Sequence, residues 1–109
     1  MLITDEQKEK LLLILKYISR AEYDAVDALE TTFMSDAKSS VLNLERFVKQ
    51  DQVLTELQKN GLLDHLAAAS SAILIGNKVT GRYSEYDRAG YCLEHLSKAK
   101  SHIDGILEK

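Results

Sequence analysis

Proline is absent from all 109 residues. Its ring fixes φ and removes a backbone donor, so it punctuates loops and interrupts helix interiors. A chain without it suits long helices joined by short turns. The apolar spacing agrees: no run alternates in the strand period, and four segments repeat at the helical period of about 3.6. The first opens on a capping box, Thr4-Asp5-Glu6-Gln7, whose hydroxyl and side-chain amide satisfy orphan N–H groups. It continues through Leu11, Leu15, Ile18, Ala21, Ala25, Leu29 and Phe33, predicting a helix over 5–33 with Ser19-Arg20 as the place for a bend. Ser35-Asp36 has the composition of a second helix start, where the dipole favours the Asp36 carboxylate. Ala37, Val41, Leu44 and Val48 then make one stripe with Phe47 beside it, and the pattern slips out of phase at Val53, Leu54 and Leu57. That slip is compatible with a break near Asp51. Asn60-Gly61 reads as a left-handed C-cap, which gives a second helix over 36–59. A third, shorter helix is expected over 62–75, with Leu66, Ala69, Ile73 and Leu74 inward.

Residues 76–83 read as the one clear loop. Ser84 and Asp87 have the spacing of another capping box, and a fourth helix over 84–107 carries Tyr86, Ala89, Leu93, Leu96, Ala99, Ile103 and Leu107. Glycine costs about 1 kcal/mol in a helix interior, so Gly90 is expected to permit a close helix approach. With no internal repeat or linker, the expected fold is all-α: one domain over 1–109, an antiparallel up-and-down four-helix bundle. A 45% hydrophobic and 28% charged composition fits a globular chain and not a disordered one. One cysteine makes no internal disulfide and no zinc-type pair. The formal charge of −3 argues against dedicated nucleic-acid binding, which needs clustered Lys and Arg. The opening MLITDEQKEK has no secretory apolar core. The longest apolar runs, 11–15 and 72–75, fall far short of a membrane span of about 20 residues. The expected location is the cytoplasm.

Four features carry candidate chemistry. Gly76-x4-Gly81-Arg82-Tyr83 has the glycine spacing of a phosphate-binding loop, but it follows a helix, has Arg where the Lys is needed, and has Tyr where the magnesium-binding hydroxyl belongs. The same stretch gathers Lys78, Arg82, Tyr83 and Tyr86, a basic and aromatic group of the kind that anchors interfaces. The segment from His65 to Ala72 resembles the phosphoacceptor helix of histidine-phosphotransfer domains, which are also small four-helix bundles. That resemblance implies a phosphorelay role for His65, although Ala68 and Ala69 occupy the places of the family's lysine and glycine. The string Arg88-Ala89-Gly90-Tyr91-Cys92-Leu93-Glu94-His95 is similar to the Arg-x4–6-His motif of HEPN ribonucleases. It implies histidine as acid or base and arginine against developing phosphate charge. No Glu-x-x-His pair of the ferritin-like kind occurs, and Cys92 with His95 has no second pair. No metal and no cofactor is therefore expected, and Cys92 reads as a core-boundary residue.

The acidic region differs in kind. Residues 4–34 hold seven acids against four bases, so their balance equals the charge of the whole chain. Asp24, Asp27 and Glu30 form an inclined row with Tyr23 beside them, and no base lies between Ala21 and Glu30. Like charges so spaced repel by a few tenths of a kcal/mol, whereas a basic partner gains association rate and specificity from them. The expected function is a non-catalytic interaction module that docks Tyr23, Asp24, Asp27 and Glu30, with the 76–86 loop, on a basic protein. In size, charge and helix content the chain is similar to immunity proteins and antitoxins. Direct nucleic-acid and membrane binding are not expected. The uneven helix lengths leave a groove open to a second copy, so a homodimer is compatible with the sequence.

Overall fold

The computed structural model describes residues 3–31, 34–75, 81 and 84–108. They form four helices, α1 (Asp5–Thr31), α2 (Ser35–Gln50), α3 (Glu56–Ile75) and α4 (Glu85–Leu107). No strand occurs among the described residues. Both α1 and α3 pack on α2 and on α4, so the four helices stand at the corners of a square in chain order. The bundle measures 42 × 24 × 23 Å, and a 27-residue helix rises about 40 Å, so α1 runs its full length.

The helix starts follow local chemistry. At α1, the Thr4 N–H donates to Gln7 Oε1 at 3.1 Å and the Gln7 N–H to Thr4 Oγ1 at 3.0 Å, the expected reciprocal cap. At α4, the Asp87 N–H donates to Ser84 Oγ at 3.1 Å, and the Ser84 hydroxyl donates to Asp87 Oδ2 at 2.6 Å. The second start differs from expectation. Met34, not Ser35 or Asp36, holds the N-cap position, and no side chain caps it. Its 7% exposed side chain joins the core instead. The first helix passes through Ser19-Arg20 without interruption; Phe33 lies outside the described residues.

The largest correction concerns the second turn. The second helix ends at Gln50, and Asn60-Gly61 lies inside α3. Asp51 makes the break: its Oδ2 accepts from the N–H groups of Val53 at 3.1 Å and Leu54 at 2.7 Å. Lys59 Nζ donates to the carbonyls of Lys49 and Asp51 at the end of α2. Thr55 and Gln58 then form a reciprocal capping box, at 2.9 and 3.2 Å, that starts α3. Lys10 Nζ lies 3.4 Å from Asp51 Oδ1 and Gln7 Nε2 donates to the Val53 carbonyl at 3.4 Å, so the connection is tied to α1. The third helix is thus 20 residues long and α2, at 16, is the shortest.

Gly61 has a different reason to be glycine from the one its sequence suggests. A Cβ there would sit 2.5 Å from His102 Cε1, so the missing side chain admits the His102 ring against α3. At Gly90 a Cβ would meet nothing within 4 Å, so that glycine does not serve close packing. Gly81 adopts a left-handed φ of 70°.

The core is one cluster with residues from all four helices. Ala37, Val41, Leu44 and Val48 are buried as their stripe predicts, as are Leu66, Ala69 and Ile73. Cys92 is fully buried, deeper than a boundary position. Leu57, Leu74 and Tyr86, by contrast, are exposed at 82%, 44% and 63%. Leu57 falls in the first turn of α3, where the shifted start turns it away from the core.

Candidate functional site

The inward stripe of α1 is Leu11, Ile14, Ile18, Ala21, Ala25 and Ala28. Subtracting it leaves an outward stripe at the same helical period. Leu12, Tyr23 and Val26 on that stripe are exposed at 46%, 71% and 44%. Exposed Lys16 and Ser19 interleave with them, and exposed Asp27 and Glu30 complete the carboxyl-terminal half. Among the described residues, no ion pair reaches Asp27 or Glu30. The Asp27 backbone carbonyl accepts the Thr31 hydroxyl at 2.9 Å.

The acidic row divides when it is placed on the bundle. Asp24 faces α2: its side chain is 12% exposed, it accepts a hydrogen bond from the Ser40 hydroxyl, and Arg20 Nε lies 3.7 Å away. Glu22 faces α4, 3.6 Å from Lys100 Nζ. Both carboxylates hold α1 to its neighbours. Only Tyr23, Asp27 and Glu30 of the expected docking residues on α1 present themselves to a partner. Sequence reasoning missed Leu12 and Val26, because their outward placement shows only as the complement of the buried stripe.

Lys78, Arg82 and Tyr83 lie outside the described residues. Tyr86, in the first turn of α4, is exposed and lines a shallow groove with Asp87, Gly90, Tyr91 and Glu94. Between α1 and α2 lies a groove of about 360 Å³ lined by Tyr17, Arg20, Ser40, Asn43, Leu44 and Phe47. Tyr17 and Phe47 meet edge to face at 5.1 Å, and Lys10 Nζ sits 5.0 Å from the Phe47 ring centre.

The histidines converge on the seam between α3 and α4. His65 lies in the interior of α3, not in a first turn, and its half-buried ring meets that of His102 at 6.2 Å between centres. His102 Nε2 is buried with no hydrogen-bond partner among the described residues. Burial holds the His95 imidazole below its ordinary pKa, and Lys98 and His65 add to that effect against the opposing Glu94. Arg88 and His95 are two helical turns apart, about 10 Å along the axis, and Arg88 Nε is buried with no hydrogen-bond partner among the described residues. Burial pushes the Cys92 thiol up to about 12, so it carries no thiolate near neutral pH.

No group of three or more His, Cys, Asp or Glu is placed to hold a metal ion among the described residues. No described helix is long and apolar enough to cross a membrane. No protein-family model, curated protein or solved structure matches the chain.

Proposed function

We propose that this chain is a non-catalytic protein-binding module that lays the outward face of α1 on a basic protein, in the manner of small inhibitor, immunity or antitoxin bundles. The observation that carries this reading is Tyr23, 71% exposed on a rigid helix, beside exposed Asp27 and Glu30. A tyrosine so placed offers a large contact area at small entropic loss. The two carboxylates add a field that draws a basic surface. Asp24 supports the face from behind by fixing α1 against Ser40 of α2.

Affinity capture from the source cell, followed by mass spectrometry, tests the reading. The wild-type chain should enrich a basic protein, and both Tyr23→Ala and the pair Asp27→Lys, Glu30→Lys should reduce that enrichment at least about tenfold, the loss of one interface anchor. Because the affected residues are exposed, circular dichroism should show all variants folded. Undiminished capture by both variants overturns the reading.

A further inference from the structure

The outward stripe of α1 has a property that docking on a foreign basic protein does not require: it is complementary to itself. Leu12, Lys16, Ser19, Tyr23, Val26 and Glu30 follow one another at alternating intervals of four and three, the heptad spacing of a helix seam. All six are exposed. Charge is segregated along the stripe, with Lys16 and Arg20 before Tyr23 and Asp27 and Glu30 after it. Tyr23 stands midway between Lys16 and Glu30 in sequence. Turning a second α1 end for end about a twofold axis at Tyr23 therefore brings the basic half of each helix beside the acidic half of the other. A parallel arrangement would instead set like charges together.

The geometry points to a second copy of this chain as an occupant of the stripe, in an antiparallel, twofold-symmetric dimer with α1 against α1. Such an interface is isologous: the same patch serves both subunits, and each ion pair occurs twice. Tyr23 and Val26 supply the apolar contact, and the basic and acidic ends fix the direction. Asp24 takes no part, being held by Ser40 and Arg20 within its own subunit. One helix face per subunit makes a contact at the small end of specific interfaces, so the dimer forms reversibly and the basic partner and the second copy exclude one another. The inference does not depend on that partner's existence.

Sedimentation of the full chain across a concentration series tests it. A monomer–dimer equilibrium should appear with a Kd of roughly 0.1 mM, a value suited to a small interface. Lys16→Glu with Arg20→Glu makes the stripe uniformly acidic, and Asp27→Lys with Glu30→Lys makes it uniformly basic. Each double variant alone should associate at least about tenfold more weakly than wild type, whereas an equimolar mixture of the two should recover a heterodimer. Monomers at every concentration up to about 1 mM overturn the proposal. A dimer that ignores the reversals, or a mixture that fails to recover it, also overturns the assignment to this face. The arms separate this proposal from the docking reading: Lys16→Glu with Arg20→Glu weakens the dimer at least about tenfold and leaves capture of a basic partner through Tyr23, Asp27 and Glu30 intact.

Discussion

At the scale of single residues, Gly61 of α3 and Gly90 of α4 separate by what stands opposite them. Gly61 faces the His102 ring at a distance no Cβ tolerates, while Gly90 faces open space. Replacing Gly90 with alanine should stabilise the protein by about 0.5–1 kcal/mol, the helix-propensity gain with nothing to oppose it. Gly61→Ala makes the same propensity gain but forces His102 out of the seam, and should destabilise by about 1–2 kcal/mol net. In a His102→Ala background the Gly61→Ala change should reverse sign and become stabilising. Thermal unfolding of the four proteins in this cycle measures the coupling directly, since the two residues touch. A Gly61→Ala substitution equally stabilising in both backgrounds contradicts the packing role.

At the scale of elements, Asp51 decides where α2 ends and how α3 begins. One carboxylate oxygen holds two N–H groups of the turn, and the other faces Lys10 of α1. Asp51→Ala removes the cap and strands those buried donors, so urea denaturation should show a loss of about 2–3 kcal/mol. A loss below about 0.5 kcal/mol, within the range of ordinary surface substitutions, contradicts the capping role. The existence and type of all four helices were legible from apolar period and the absence of proline, and two of the four starts from their capping boxes. The slip in apolar phase pointed to the break near Asp51 where α2 ends, but the expected boundary fell at Asn60-Gly61. Asn60-Gly61 has the composition of a helix end, and the third-residue rule at Thr55 and Gln58 competes with it on equal terms in a one-dimensional reading. What decides between them is tertiary: the ring of His102, 41 positions away in the chain, fills the space beside Gly61. The candidate site divides in the same way. The acids of α1 are visible in sequence, but Asp24 and Asp27 look alike there. Only the position of Ser40 on α2 separates the carboxylate that fastens the bundle from the one that faces outward.

At the scale of the whole molecule, the bundle presents two surfaces of different character. The seam between α3 and α4 collects His65, His95 and His102 in half-buried positions, where rings pack against glycine and one another. The outer face of α1 is exposed and carries apolar residues beside Asp27 and Glu30, which no ion pair reaches among the described residues. The 27-residue helix α1, packed on both α2 and α4, holds the backbone of that face in place, which limits the backbone ordering needed on binding. The docking account therefore locates function on α1 and leaves the α3–α4 seam to stability. Cross-saturation NMR on the complex with the captured basic protein tests this most directly, because it maps the contacted amides along the whole chain. Signal loss is expected along the outward positions of α1 from Tyr23 to Glu30, with Arg88, His95 and His102 unaffected. A footprint on the α3–α4 seam, with α1 untouched, would contradict it.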